Sequence, residues 1–313
     1  MFRRIKRLSE MGILGINRRN THYTQQYNPR KLFPLVDDKL TTKKLAQSAG
    51  IAVPELYGVI EYVHQVHQLR EMLEPYEDVA IKPARGSGGV GILILRGRAG
   101  RMFQRSDGEM ITQEEVRYHV LNILSGLYSL GGQRDKAIIE YRVRFDPMFT
   151  AISYLGVPDI RIIVFQGVPV ISMVRLPTRA SCGRANLHQG AIGAGIDLSS
   201  GITLTGVWHD TIVTKHPDTR QSITGLQIPN WLNLLKLASR CYELTGLGYQ
   251  GVDIVLDGDK GPLILELNAR PGLSVQIANQ AGLLPRLRLV KEHREGLRTV
   301  DERVRFARMH FSS

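Results

Sequence analysis

Three oxygen-bearing side chains in the last quarter of the chain have the types and spacing of a metal site. Asp253 lies in one apolar run, and Glu266 and Asn268 lie in the next, across the turn sequence Gly-Asp-Lys-Gly. Glu266 and Asn268 are two residues apart, so on a strand they point to the same face, and a hairpin brings Asp253 to them. Carboxylate and amide oxygens are hard ligands that suit Mg²⁺, which takes its remaining ligands from water and phosphate. The alternative, a half-solvated sheet face, would bury unpaired carboxylates among apolar neighbours.

A lysine followed by clustered glycines predicts a phosphate site. Lys82 lies near the end of the apolar run 79–83, and four glycines follow between Gly86 and Gly91. Glycine lets backbone amides approach an anion closely, and a lysine meets phosphate oxygens as a point charge. No Lys-Ser or Lys-Thr pair follows, and the next segment reads as a strand, so neither a Walker A loop nor a dinucleotide fingerprint is present. The alternative is a glycine hairpin beside a surface lysine.

Arginines of a predicted hairpin form the third group. Arg161 and Arg175 belong to two apolar runs that flank Gln166-Gly167. A guanidinium donates paired hydrogen bonds to phosphate or carboxylate and keeps its charge. The alternative is that these arginines form salt bridges at the protein surface.

Residues 178–201 contain five glycines and little periodicity, so we expect a long loop or a mobile lid there. Arg184 and Asn186 could reach an anionic intermediate from this segment. Cys182 and His188 lie six residues apart with no reason to pair, so we do not expect thiol catalysis.

The elements that position these residues alternate between short strands and helices, which predicts an α+β fold. Predicted helices cover 38–50, 63–73, 112–130 and 231–245, with a basic helix after Pro285. Predicted strands cover 79–83, 92–95, 101–104, 137–143, 160–165, 168–174, 251–257 and 262–267.

Composition places limits on the class of protein. The 313 residues suit one large domain or two lobes sharing a cleft, and 43% hydrophobic with 22% charged residues excludes disorder and coiled coil. The net charge of +12 predicts a surface that attracts anions. Two cysteines exclude a disulfide framework and fit a reducing compartment. We find no sequence signal for secretion or for a membrane span, and we predict a cytoplasmic protein.

The order of the motifs resembles the ATP-grasp superfamily, in its glutamate-ligase branch typified by the ribosomal-protein S6 modification enzyme. The sequence is also similar to sugar-transfer-associated ATP-grasp proteins. The resemblance covers residues 38–272. It rests on IKPARGSGGVG, IIEY, DIR, RANLHQG, and VDI followed by LELNARPG. It implies an α+β fold in which two lobes grip ATP.

The resemblance also implies roles for individual residues. First-lobe residues implied to contact the phosphates are Lys39, Lys82, Gly86, Ser87, Gly88 and Gly89. The hinge strand implied to meet adenine contains Glu140, Tyr141, Arg142 and Val143. Two Mg²⁺ ions would be held by Asp253, Glu266 and Asn268. Contacts to the γ-phosphate or the acyl-phosphate would come from Arg161, Arg175 and Arg270, and Asn186 would lie on the substrate side. Arg184, which we add from its place in the glycine-rich segment 178–201, is a further catalytic candidate.

The expected organisation departs from this branch at the N-terminus. A short irregular basic arm, residues 1–36, stands where such proteins carry a folded domain that helps bind the acceptor, so acceptor specificity cannot be transferred. The lobes are expected at 37–139 and 140–285, and a basic C-terminal helix at 286–313.

We therefore expect an ATP-dependent carboxylate–amine ligase that forms an amide through an acyl-phosphate. Its partners would be a carboxylate acceptor (a peptide, a protein or a small molecule) and an amine donor, with glutamate as one candidate amino acid. One alternative is a basic nucleic-acid or ribosome-binding protein, although the basic ends lack interleaved aromatic residues. A second is a non-catalytic ATP-grasp scaffold whose basic arm contacts a membrane surface. The intact set of Lys82, Asp253, Glu266 and Asn268 argues against lost catalysis.

Overall fold

The structure is a computed structural model that describes residues 6–8, 10–86, 88–100 and 102–312. Ser87 of the predicted phosphate loop, and residues 1–5 and Ser9 of the predicted arm, lie outside this part of the chain. No helix of the described residues combines the length and the apolar character that a membrane span needs.

The N-terminal segment is helical and packed, which differs from the predicted irregular arm. Its elements are α1 (Ile16–Arg19), a π-helical turn (Asn20–Thr24), α2 (Gln25–Tyr27), a 3₁₀ turn (Arg30–Leu32) and α3 (Pro34–Asp37). Leu14, Tyr23 and Val36 are buried in the larger hydrophobic core. The π-helical and 3₁₀ turns interrupt the 3.6-residue period, so the sequence pattern concealed the helix.

The first lobe is built on a six-stranded antiparallel sheet, counted within the described residues, in the order β1-β6-β2-β3-β4-β5. The helices that precede or cover it are α4 (Lys39–Ser48), α5 (Leu69–Leu73) and α6 (Gln113–Leu124). Its strands are β1 (Leu56–Ile60), β2 (Val79–Pro83), β3 (Leu93–Ala99), β4 (Met102–Arg105), β5 (Met110–Thr112) and β6 (Ala137–Tyr141). Helix α6 ends six residues before the predicted end, close to Gly126, whose φ of 87° lies in the left-handed region.

The two faces of this sheet have different neighbours. Val116 and Val120 of α6 belong to one core with Ile81 and Ile139 of the sheet. A separate small cluster joins Leu40 of α4 to strand β6 and the end of β2. Helix α4 is thereby placed beside the face that carries the polar residues of β2 and β6.

The second lobe is built on a seven-stranded antiparallel sheet, again within the described residues, in the order β11-β10-β9-β8-β7-β12-β13. Its strands are β7 (Asp159–Phe165), β8 (Val168–Leu176), β9 (Ile192–Ile196), β10 (Thr203–Trp208), β11 (Thr211–Val213), β12 (Tyr249–Asp257) and β13 (Gly261–Asn268). The helices are α7 (Trp231–Thr245), α8 (Ser274–Asn279), α9 (Leu284–Glu292) and α10 (Val300–His310). The predicted single C-terminal helix is thus two helices, α9 and α10, separated by a short 3₁₀ turn.

Strand β9 corrects the prediction of a loop or lid over all of 178–201. Its glycines alternate with Ile192, Ala194 and Ile196 on a fully buried strand. A Cβ on Gly193 would lie 2.5 Å from the Leu187 side chain, and one on Gly195 would lie 2.8 Å from the side-chain oxygen of Asn279. These glycines allow close packing of a strand, so of the predicted segment residues 178–191 form the loop before β9 and residues 197–201 form the turn after it.

Candidate functional site

Four charged side chains from three adjacent strands form one network, which we call the arginine cluster: Arg161, Arg175, Asp159 and Asp253. Strand β12 lies between β7 and β13, and Asp253 is opposite Arg161 on one side and Glu266 on the other. Arg161 Nε donates to Asp253 Oδ1 at 2.7 Å, and Arg175 Nη2 donates to Asp253 Oδ2 at 2.9 Å. Arg175 also forms a bidentate pair with Asp159. The predicted hairpins therefore bring together both arginines and the predicted metal ligands.

The charges of the arginine cluster hold Asp253 in its ionised form. Burial raises the pKa of Asp253, but the guanidiniums of Arg161 and Arg175 outweigh burial and bring the pKa to about 2. Burial raises the pKa of Asp159 to about 6, against the lowering effect of Arg175. The two carboxylates outweigh burial at Arg175 and raise the pKa of its guanidinium. Asp253 is therefore a carboxylate at neutral pH and can act as a ligand or as an acceptor.

The predicted metal ligands provide only part of a coordination shell. Asn268 Nδ2 lies 3.4 Å from Asp253 Oδ2, and Glu266 is opposite Asp253 in the strand register. Among the described residues, no three His, Cys, Asp or Glu side chains are placed so that they could hold a metal ion. Two carboxylates and one amide oxygen fit Mg²⁺ that keeps waters and binds phosphate oxygens. The metal-binding roles of these three residues stay a prediction.

A second charged network lies in the first lobe, and we call it the lysine cluster: Lys43, Lys82 and Glu140. Ala80 of β2 is opposite Glu140 of β6, so Lys82 and Glu140 share a face of the sheet. Lys82 Nζ is 2.5 Å from Glu140 Oε1, and Lys43 Nζ is 2.8 Å from Glu140 Oε2. Lys43 also donates to the backbone oxygen of Pro54.

Sequence reasoning missed Lys43. Burial lowers the pKa of its ammonium, and Glu140 counteracts that shift. The available signal was its position on α4, four residues after Lys39 and on the same face of the helix. Because polar residues surround Lys43 in the sequence, the pattern predicted that its side chain is exposed to solvent.

Lys39 connects the glycine-rich loop to the second lobe. Asp38 caps α4 by accepting hydrogen bonds from the backbone of Leu40 and Thr41, which fixes Lys39 at the first turn. Lys39 Nζ donates to the backbone oxygen of Gly86 and lies 3.7 Å from Glu266 Oε1. A phosphate-binding candidate of one lobe therefore meets a metal-ligand candidate of the other.

The glycine-rich loop also faces the loop of residues 178–191. Gly88 and Gly89 have φ of 63° and 76°, in the left-handed region that glycine tolerates. A Cβ on Gly88 would lie 3.1 Å from Asn186 Nδ2, and one on Gly89 would lie 3.6 Å from Arg184 Cγ. The structure thus brings Arg184 and Asn186 next to the predicted phosphate loop.

The hinge residues after Glu140 turn toward other partners. Tyr141 Oη donates to Asp257 Oδ1 at 3.3 Å, and burial with Asp257 raises the pKa of Tyr141 to about 12. Arg142 pairs with Asp78 at 2.7 Å, and Val143 packs in a small apolar cluster with strands β12 and β13. Of this predicted set, Glu140 is the residue that joins the lysine cluster.

Arg270 lies at the side of the network and pairs with the N-terminal segment. Its guanidinium is 3.4 Å from Asp37 and lies over the ring of Phe33, 5.0 Å from its centroid. Next to it, Asn28 donates to the backbone oxygen of Ala269 at 2.8 Å. The turn after the candidate metal ligands is therefore held by the N-terminal segment.

Comparison with known proteins agrees with the two-lobed fold. A family model described as sugar-transfer associated ATP-grasp matches residues 18–292. The chain belongs to this family. The ATP-grasp resemblance and the two-lobed α+β fold are confirmed. No curated protein is similar to the chain at a significant level.

Solved structures with a similar fold have low sequence identity to this ATP-grasp protein. The ATP-grasp ligase PsnB, solved with a minimal precursor, Mg and ADP, is 16% identical over 85% of this chain and 61% of its own, with a TM-score of 0.45. D-cycloserine synthetase DcsG is 16% identical over 85% and 73%, with a TM-score of 0.47. D-alanine–D-alanine ligase from Bacillus anthracis, solved with ATP, is 14% identical over 88% and 66%, with a TM-score of 0.44. The chain thus spans about three fifths of the length of PsnB.

Proposed function

We propose that this ATP-grasp protein is an ATP-dependent carboxylate–amine ligase that forms an amide through an acyl-phosphate. The observation that carries the proposal is the meeting of Lys39 with Glu266 at 3.7 Å, with the lysine cluster on one side and the arginine cluster on the other. Cations that suit phosphates and carboxylates that suit Mg²⁺ therefore share one cleft. Because the reaction consumes ATP, we further propose a cytoplasmic place of action.

The residues of the first lobe bind the phosphates of ATP. Lys82 and Lys39 supply charge, and the loop from Gly86 to Gly91 supplies backbone amides without a side chain to obstruct them. Glu140, which belongs to the hinge strand proposed to meet adenine, contacts Lys82 in the same region. Binding and orientation of ATP are the tasks of this lobe.

The residues of the second lobe hold the reacting phosphate. Asp253, Glu266 and Asn268 are the proposed ligands of two Mg²⁺ ions, which when bound neutralise charge on the γ-phosphate. Among the described residues, Nη1 of Arg161 and of Arg175 is not used by Asp253 or Asp159, and a guanidinium donates to phosphate in a paired geometry. Arg270 would contact the γ-phosphate or the acyl-phosphate from the turn after Asn268.

The reaction then needs positioning and charge neutralisation in place of a protein nucleophile. An oxygen of the acceptor carboxylate attacks the γ-phosphorus, and the bond to ADP breaks. The amine attacks the acyl carbon of the acyl-phosphate, inorganic phosphate leaves, and the amine proton is released. Arg184 and Asn186, beside the glycine-rich loop, would exclude water from the acyl-phosphate, which water would otherwise hydrolyse.

A screen for ADP release tests the proposal. The protein with ATP and Mg²⁺ is offered pairs of carboxylates and amines drawn from amino acids, including glutamate, peptides and glycan-linked acids. We expect ADP release that requires a carboxylate, and hydroxylamine in place of the amine should trap the acyl-phosphate as a hydroxamate. Failure to bind ATP, or ATP hydrolysis that no carboxylate accelerates, would contradict a ligase.

A further inference from the structure

The lysine cluster has more positive than negative charge, and its side chains are almost completely buried. The side chains of Lys43 and Glu140 are both 4% exposed, and that of Lys82 is 9% exposed. Two ammonium groups contact one carboxylate, so the cluster carries one net positive charge. Buried charges interact far more strongly than charges in water, so this excess matters for any anion that enters the cleft.

The two lysines occupy different sides of the carboxylate. Lys82 contacts Oε1 of Glu140 and lies on the strand that leads into the glycine-rich loop. Lys43 contacts Oε2 and also donates to the Pro54 backbone oxygen, so its ammonium is engaged on the side of helix α4 and the chain before β1. The two cations therefore lie on different sides of Glu140, and Lys82 is the one on the strand that leads into the glycine-rich loop.

Lys43 changes what Lys82 can do. With Lys82 alone, Glu140 and Lys82 would form a neutral buried pair, and a phosphate would have to compete with the carboxylate for the ammonium. With Lys43 on its other oxygen, Glu140 keeps a partner when Lys82 turns to a phosphate. The carboxylate then stays neutralised throughout nucleotide binding.

We propose that Lys43 is a positioning residue for nucleotide binding, which neutralises Glu140 from helix α4 and leaves Lys82 free to bind phosphate. This inference rests on the proposed function only in so far as the cleft binds ATP. Its signature is dependence on the charge of the ligand: the contribution of Lys43 should appear with a triphosphate and vanish with adenosine.

A charge-balancing pair of variants tests this role. Lys43→Met removes the charge with similar length and leaves a neutral cluster, whereas the double variant Lys43→Met/Glu140→Gln restores one net positive charge on Lys82. Calorimetry should show that Lys43→Met weakens binding of a non-hydrolysable ATP analogue by about tenfold or more. The double variant should recover most of that affinity, and the affinity for adenosine should stay the same in Lys43→Met.

Two controls separate this role from a structural one. Lys44→Met, on the same helix, should leave both affinities unchanged, and circular dichroism should report whether each variant keeps its fold. If Lys43 serves only to tie helix α4 to Pro54, Lys43→Met weakens adenosine and the ATP analogue equally, and adding Glu140→Gln does not rescue the triphosphate; that result would overturn the inference. If the unaltered protein does not bind the ATP analogue, the proposed function itself has failed, which is a different outcome.

Discussion

The lysine cluster and the arginine cluster differ in their balance of positive and negative charge. In the first lobe two ammonium groups share one carboxylate, and the sum is positive. In the second lobe two guanidiniums are matched by two aspartates, and Glu266 beside them adds a further negative charge. One side of the cleft therefore attracts phosphate directly, whereas the other side accommodates phosphate only together with a cation.

The difference between the clusters follows from side-chain chemistry. An ammonium is a point charge that can turn from one oxygen to another, whereas a guanidinium is a planar fork that fixes the geometry of the acids it binds. Arg161 binds both oxygens of Asp253, which orients that carboxylate. The first lobe is thus suited to attract the nucleotide, and the second is suited to hold groups in a reactive arrangement.

The largest effect is expected where the second lobe would hold metal. Glu266→Gln removes a charge that Mg²⁺ needs, so turnover should fall on the order of a hundredfold or more, as for other lost preorganised electrostatic contacts. ADP release at saturating Mg²⁺ measures the loss. The same change at Glu114, on the exposed surface of helix α6, is the matched control and should have no effect. Full activity of Glu266→Gln would refute the metal role.

A smaller effect, independent of metal, is expected in the first lobe. Lys82→Met removes a charge-assisted contact to phosphate, worth about 1.5–3 kcal/mol, so the affinity for an ATP analogue should fall about ten- to a hundredfold. The loss should persist when Mg²⁺ is chelated, unlike any effect of Glu266→Gln on binding. Lys236→Met, at a partly exposed lysine of helix α7, is the control. Equal affinity of Lys82→Met and the unaltered protein would remove Lys82 from the phosphate site.

The part of the site that depends on strand periodicity could be predicted from the sequence. Glu266 and Asn268 share a face because side chains alternate along a strand, and the hairpin β12–β13 brings Asp253 opposite Glu266. Lys82 and the glycines after it were likewise visible as a local pattern.

The rest of the site depends on contacts that periodicity does not encode. Lys43 contacts Glu140 from a helix 97 positions earlier in the chain, and its spacing of four residues from Lys39 is the one local feature that separates it from the exposed Lys44. The packed N-terminal segment was hidden by a π-helical turn, and β9 was hidden because its glycines look like those of a loop. In each case the local pattern did not show that the segment is buried against distant parts of the chain.

The N-terminal segment supports one lobe more than the other, and Asn28 tests that asymmetry. Its buried side chain accepts from the Tyr249 backbone at 2.9 Å and donates to the oxygens of Tyr249 and Ala269. Asn28→Ala leaves buried backbone groups without partners, which should cost about 1–3 kcal/mol of unfolding free energy. Denaturant unfolding measures this, with the exposed Asn17→Ala as control. An unchanged midpoint would show that the segment does not support the strand of Asp253.

The smallest effect is expected where the two lobes meet through loops. Arg184 and Asn186 lie beside Gly89 and Gly88, so the loop of residues 178–191 adjoins the phosphate loop. Arg184→Ala should leave affinity for an ATP analogue unchanged, because Lys82 and the glycines remain. Amide formation should fall by less than about tenfold, while ATP hydrolysis with the carboxylate alone should rise, because water reaches the acyl-phosphate.

The ratio of amide formed to ADP released distinguishes a specific effect of the loop of residues 178–191 from the general effect of removing one positive charge. Arg305→Ala on helix α10, an exposed arginine, is the control and should keep the ratio of the unaltered protein. Hydrogen exchange over residues 178–191 should slow when an ATP analogue and the carboxylate bind together, and Arg184→Ala should abolish part of that protection. Equal exchange in the free and bound protein would mean that this loop is a fixed connection between β8 and β9, and the contrast between the lobes would then reside in the two charged clusters alone.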